Sequence, residues 1–209
     1  MTQAIYLIDD EPAICASLSA LLSTVGWQTK TFDSAQTFQR EAGELSLLNG
    51  CMLLDIRMPG KTGLTLLDEW QQQGLVIPVI IMTGHGNIDL CRRAFKNGAF
   101  EFLTKPIDAD LLFEVVGGAL EQQAQQQKQR QKLQLMQERL STLTARESEI
   151  FAQIMEGQSG KEIARRYALS PRTVEAHRAS IFDKLDVHSL SRLISAYGEL
   201  ARWKKIAGD

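Results

Sequence analysis

The sequence predicts an α/β domain on a five-stranded, all-parallel, doubly wound sheet, followed by a small all-α domain of four helices. Three observations carry this. Over the first 120 residues, short apolar runs alternate five times with stretches of helical spacing. A glutamine-rich stretch, "EQQAQQQKQRQKLQLMQ" at 121–137, then breaks the alternation. Beyond Ser141 the apolar spacing is helical throughout. Strands that alternate with helices pair in parallel, and the helices cover both faces of the sheet.

The expected strands are Ala4–Ile8, Trp27–Phe32, Cys51–Leu54, Pro78–Met82 and Phe100–Leu103. The helices between and after them are Pro12–Val25, Ser34–Glu41, Leu64–Gln73, Asn87–Asn97 and Asp108–Leu120. The glutamine-rich segment holds nine glutamines in 17 residues with no glycine or proline. Glutamine favours helix, so a helical linker over 121–138 is expected. Leu133, Met136, Leu140 and Leu143 follow an a/d spacing that suits packing on a partner helix.

In the last part, Thr144 with Glu147 reads as a capping box opening a helix to about Glu156, and Gly157 ends it. Gly160–Ala168 is a short helix. Ser170-Pro171 is an N-cap followed by proline at N1, starting a helix to about Leu185. Ser189–Lys205 is the last.

The charge is unevenly spread. Residues 1–120 carry 8 Lys+Arg against 14 Asp+Glu, residues 121–143 carry 4 against 2, and residues 144–209 carry 11 against 9. An acidic front suits a cation or phosphate site, and a mildly basic remainder suits a polyanion. Cys15, Cys51 and Cys91 have no metal or disulfide spacing. No apolar run nears the roughly 18 residues of a membrane span, and the N-terminus lacks a basic signal region. A cytoplasmic protein without membrane partners is expected.

The segment "CMLLDIRMPGKTGLTLL" contains Gly60-Lys61-Thr62, the tail of a phosphate-binding loop. Such a loop needs a glycine five residues earlier, where this chain has Asp55, and Pro59 removes a backbone N–H. The nucleotide reading fails, leaving a carboxylate at a strand end. Three other strand ends are also polar: Asp9, Asp10 and Glu11 after the first, Thr83 on the fourth, Lys105 on the fifth. All meet on one edge of the sheet. Clustered carboxylates call for a cation, and hard oxygen donors suit Mg²⁺. Aspartate can itself attack phosphorus and form an acyl phosphate.

"LIDDE", "LLDIRMPGKTG", "IIMTGHG" and "FEFLTKP" together resemble the receiver domain of bacterial two-component response regulators, over residues 3–120. Its fold is the flavodoxin-like doubly wound sheet. The resemblance implies that Asp55 accepts a phosphoryl group from a sensor histidine kinase. It implies that Asp10, Asp55 and the Arg57 carbonyl bind Mg²⁺, with Asp9 acting through water. It implies that Thr83 and Lys105 contact the phosphoryl oxygens, that Phe102 swings as Thr83 moves, and that the peptide before Pro106 is cis. Gly60-Lys61-Thr62 is then only the turn after Asp55, with Gly63 allowing close backbone approach.

"LTARESEIF", "EGQSGKEIARRYALSPRTVEAHRASIFDKLDV" and "SLSRLISA" resemble a LuxR-type helix-turn-helix over 139–205. Ile163, Ala164, Leu169, Val174, Ile181, Phe182 and Leu185 form the expected buried face. Arg172, Thr173, Glu175, Ala176, His177, Arg178, Ala179 and Lys184 are the expected DNA-facing residues. Relatives often have Asn where this chain has Gly160, which would weaken the helix start. The combination is similar to the FixJ subgroup of FixJ/NarL-type regulators. It implies a phosphorylation-dependent transcription factor, not an enzyme, that binds double-stranded DNA, dimerises on phosphorylation and has RNA polymerase as a further candidate partner. The competing reading is a phosphotransfer protein whose helical tail makes only protein contacts.

Overall fold

The computed structural model describes residues 3–84 and 88–207, with side chains through residue 198. The His85-Gly86 pair of the fourth-strand motif and the expected helix start at Asn87 lie outside the described residues. The chain divides into two compact units, Met1–Lys128 and Gln129–Asp209.

In the first unit β1 (Ala4–Ile8), β2 (Thr29–Phe32), β3 (Gly50–Asp55), β4 (Val79–Thr83) and β5 (Glu101–Thr104) form one sheet in the order β2-β1-β3-β4-β5. Every pairing is parallel. All residues of β1, β3 and β4 are buried. Covered on both faces, these strands read as unbroken apolar runs, not as an alternation. Gly50 lies where a β-carbon would overlap the Ala4 backbone, so β1 and β3 start close together only because it is glycine.

Helices cover both faces. Phe38 of α2 (Ala35–Glu41), Leu67 and Trp70 of α3 (Gly63–Gln72) and Ala94 of α4 (Ile88–Lys96) share one core with Ile8, Leu54 and Ile81. Leu18 and Leu22 of α1 (Pro12–Ser23) join Leu112, Val116 and Ala119 of α5 (Ala109–Ser141) on the other, with Leu7, Leu53 and Leu103. From β1 the chain turns to β2 on one side and then crosses to β3 on the other. The crevice at the carboxyl ends of β1 and β3 is thus the switch point where such sheets place their sites.

Two boundaries differ from expectation. The second strand starts at Thr29, because the Trp27 N–H bonds Leu22 O and its ring packs edge-on to Phe113, 6.2 Å between centroids. α1 stops at Ser23, where Thr24 and Gly26 close the turn with Leu21 and Ser23 carbonyls. The largest difference is α5. It runs 33 residues without a break, so the helix expected over 121–138 continues the helix expected from Asp108. Nothing between 119 and 141 removes a backbone N–H or favours a left-handed turn, and propensity carries the helix on.

The second unit adds α6 (Ala145–Met155), α7 (Gly160–Arg166), α8 (Pro171–Lys184) and α9 (Leu190–Ala207). The Thr144/Glu147 capping box forms, and Ser159/Glu162 makes a second, so α7 starts firmly on Gly160. Ser170 caps α8 with Pro171 at its first position. α7 ends at Arg166, short of Ala168, which takes φ +53° in the turn while the Leu169 N–H returns to Ala164 O. Ile163, Val174, Ile181, Leu185, Leu193 and Tyr197 form the core. Met136 is buried in it, with Leu140 and Leu143 packed alongside, whereas Leu133 stays 37% exposed. The a/d stripe is therefore used mostly inside this unit.

Candidate functional site

The carboxyl ends of the strands bring three expected residues into direct contact. Lys105, just past β5, places its ammonium 2.7 Å from Asp9 Oδ2 and 2.8 Å from Asp55 Oδ1. Asp9 follows β1, Asp55 ends β3, and both are buried. Glu11 lies at the rim, 3.8 Å from the same ammonium. The Asp55 carboxylate also accepts the Arg57 backbone N–H at 2.6 Å, and Asp9 accepts that of Glu11 at 3.0 Å. Thr83 is buried at the end of β4, and its carbonyl accepts the Lys105 N–H at 2.7 Å. The Lys105–Pro106 peptide is cis. Phe102, half-buried, packs on the α2–α4 side of the sheet.

Electrostatics follow from this packing. Burial raises the Asp9 carboxyl above its usual range, against the hydrogen bond from Lys105. For Lys105, burial works against the ammonium, but hydrogen bonds to Asp55 and Asp9 outweigh it and hold the pKa above the ordinary value. Asp10 sits exposed beside this pair. Among the described residues no three His, Cys, Asp or Glu side chains converge as a metal-ligating group. The expected donor set is instead spread between buried Asp9 and Asp55 and the exposed rim.

Gly60-Lys61-Thr62 holds no anion site. Lys61 pairs with Glu69 at 2.6 Å, and Thr62 caps α3 by accepting the Thr65 N–H. Gly63 lies directly against Asp55, where a β-carbon would overlap the Asp55 carbonyl oxygen.

Residues 5–117 match the response regulator receiver domain family, and residues 141–197 match the luxR family of bacterial regulatory proteins. The chain is a response regulator. It is 39% identical over 190 residues to the transcriptional regulatory protein FixJ of Bradyrhizobium diazoefficiens, covering 91% of this chain and 92% of that one. It is 36% identical over 194 residues to the transcriptional regulatory protein TdiR of Thauera aromatica, covering 91% and 83%. The solved response regulator StyR superposes with a TM-score of 0.86 at 31% identity, covering 95% of this chain and 100% of that one. Full-length FixJ from B. japonicum gives 0.58 at 37% identity, covering 94% and 96%. This response regulator is a DNA-binding transcriptional regulator of a two-component system, of the FixJ type, and not an enzyme. Receiver domains bind Mg²⁺ at their acidic site. Among the described residues no helix is long and apolar enough to cross a membrane.

On α8 of the response regulator, Arg172, Glu175, Ala176 and Ala179 are exposed, and Thr173, His177 and Arg178 are half-buried. Thr173 is tied to the cap, its hydroxyl 2.7 Å from Ser170 Oγ. Lys184 departs from expectation. Its ammonium points to the Glu147 carboxylate at 2.6 Å and is not a free cation on the outward face. Glu147 is 4% exposed and also accepts from Ser180 Oγ, Thr144 Oγ1 and the Thr144 N–H. The Lys184 ammonium, then Ser180 and Thr144, hold its pKa down at about 2.

The sequence reading took Glu147 only as a helix cap and missed it as the anchor of α8. Its signal was faint: Ser180 and Lys184 stand one turn apart on α8, with the buried Ile181 between them. Arg139 was also missed. It bonds Leu185 O at 3.3 Å and Asp186 at 2.7 Å, so the last turns of α5 hold the C-terminal end of α8.

Proposed function

We propose that Asp55 accepts a phosphoryl group from a sensor histidine kinase, and that this controls binding of the second unit to double-stranded DNA. The supporting observation is the Lys105 ammonium, 2.8 Å from Asp55 Oδ1 at the switch point of the sheet. An Asp55 oxygen attacks the phosphorus of a phosphohistidine. The P–N bond breaks, an acyl phosphate forms, and the imidazole nitrogen keeps the electron pair and takes a proton. Lys105 then turns from Asp55 to the phosphoryl oxygens. Thr83 also contacts the phosphoryl oxygens, and Phe102 reorients as Thr83 moves.

Asp10, Asp55 and the Arg57 carbonyl would hold Mg²⁺, with Asp9 reaching it through water. All are hard oxygen donors of the kind that suits Mg²⁺. The ion supplies the charge neutralisation that lets a phosphoryl dianion enter this acidic edge.

Arg172, Thr173, Glu175, Ala176, His177, Arg178 and Ala179 make up the DNA-contacting face, two alanines permitting close approach to the major groove. Phosphorylated receivers pair, so two half-sites are bound together. The working units are the receiver, 3–120, the helical connection, 121–138, and the DNA-binding domain, 139–205, acting in the cytoplasm with RNA polymerase as a further partner.

The test is labelling with a small acyl phosphate donor and Mg²⁺, followed by mapping. Label on Asp55, lost in Asp55→Asn and on chelation, supports the reading, and persistent label elsewhere rejects it. Selection from a random DNA pool tests the output. Enrichment of a sequence supports base-specific control through this face of α8, and no enrichment at low salt rejects it.

A further inference from the structure

We infer that Gly160 is a specificity-determining position: by carrying no side chain it lets Glu175 hold Arg178 in one orientation on the DNA-contacting face. The inference rests on the reading of α8 as the helix that contacts DNA.

Glu175 and Arg178 stand three residues apart on α8, with Arg178 Nη1 3.1 Å from Glu175 Oε1. The arginine side chain is 27% exposed and the glutamate 64%. The guanidinium therefore lies down on the protein while the carboxylate reaches outward. Arg178 Nε is buried without a hydrogen-bond partner. An unpaired buried donor is unfavourable, so packing and the Glu175 contact are what keep the group in place. The surface beneath the pair is the first residue of α7. A β-carbon on Gly160 would stand 3.1 Å from Glu175 Oε1 and 3.7 Å from Arg178 Nη1.

Glycine is not required there by the backbone. Gly160 has no positive φ, and the Ser159/Glu162 capping box already starts the helix. What glycine provides is space. The shorter distance is tighter than ordinary van der Waals contact, so a β-carbon at 160 requires the Glu175 carboxylate, and the Arg178 guanidinium it holds, to shift by a few tenths of an ångström. Arg178 has five N–H donors, of which Nε is buried and one on Nη1 serves Glu175. The three that remain form a fork suited to guanine O6 and N7. A fork already braced loses less freedom on contact than a mobile one, which sharpens the choice between right and wrong bases.

The experiment uses the full chain, treated with a small phosphoryl donor and Mg²⁺. The probes are the duplex that the wild type selects from a random pool, every single-base variant of it, and a scrambled duplex. A bidentate arginine–guanine contact gives roughly 5- to 150-fold discrimination. Gly160→Ala is expected to lose about five- to tenfold of it at one base pair. Affinity for the scrambled duplex and the salt slope stay unchanged. Glu175→Gln and Arg178→Ala should lose discrimination at that same base pair. Alanine favours helix, so Gly160→Ala folds at least as well as the wild type, and its melting temperature checks this. Full discrimination retained by Gly160→Ala, or an even loss at every base pair, overturns the inference. If the wild type selects no sequence, the DNA-binding reading fails first and takes the inference with it.

Discussion

Lys105 reaches Asp55 across 50 positions of sequence and stands 2.8 Å from its carboxylate, with Asp9 2.7 Å away on the same ammonium. One cation thus holds two buried acids. Removing it leaves uncompensated charge, so Lys105→Met should destabilise the receiver by roughly 3 kcal/mol at neutral pH. The loss should shrink in acid as the Asp9 carboxyl, raised by burial, protonates. The folded pKa of Lys105 is raised, so its contribution is complete below 10.5 and disappears as pH rises through the higher folded value. Calorimetry across pH checks both signs, and a stability gap between wild type and Lys105→Met that stays constant as pH rises well above 10.5 would contradict the second.

Asp9 acts in the opposite sense. Its folded pKa is raised above 3.8, so its ionisation costs stability as pH climbs through the window between the two values. Asp9→Asn should therefore stabilise the receiver at pH 7, by of the order of 1 kcal/mol, while slowing phosphoryl uptake. Lower stability with normal uptake would show that the Lys105–Asp9 bond outweighs the burial of the acid.

Gly63 is expected to tolerate no side chain. A β-carbon there overlaps the Asp55 carbonyl oxygen, so Gly63→Ala must move the strand end that carries Asp55. We expect a loss of about 1–3 kcal/mol and slower labelling of Asp55. Gly74→Ala, at an exposed turn with φ +89° and nothing near its β-carbon, is the control for backbone strain alone, with normal labelling.

Glu147 should make the DNA-binding unit acid-sensitive. Its pKa falls from 4.5 to about 2 on folding, chiefly through Lys184. Its contribution is fully present above pH 4.5 and is lost as pH drops towards 2. Glu147→Gln should cost roughly 1.5–3 kcal/mol at pH 7, with the gap to wild type closing over that window. A gap that stays constant to pH 2 would mean that the ion pair contributes nothing.

Phosphorylation should double the molar mass. Ile88 and Phe95 on α4 and Leu111 at the start of α5 stay 78%, 48% and 45% exposed. Light scattering at micromolar protein, with and without a phosphoryl mimic and Mg²⁺, checks this, and equal masses reject receiver pairing. A dimer already present beforehand would implicate the α5 helix. Met136 is committed to the domain core, so truncation at Gln126 would test it less cleanly than Leu133→Lys at an exposed position.

What the sequence determined by itself was set by local chemistry. Unbroken apolar runs announced buried parallel strands, Thr144, Ser170 and Pro171 announced helix starts, and the polar ends of four strands announced a site at one edge. Each of these signals is read within a few residues of sequence and needs no tertiary partner. The unbroken run of α5 across the glutamines lay at the margin, because propensity argued for helix but the change of composition suggested a boundary. The tertiary structure decided the rest. That one ammonium serves both Asp9 and Asp55, that Glu147 seats Lys184 and Ser180, and that Gly160 makes room for Glu175 and Arg178 are contacts between residues 15 to 96 positions apart. The charged side chains involved look solvated in sequence. Which of them turn inward depends on whether a distant partner offsets the cost of leaving water, and only the packed fold brings that partner into place.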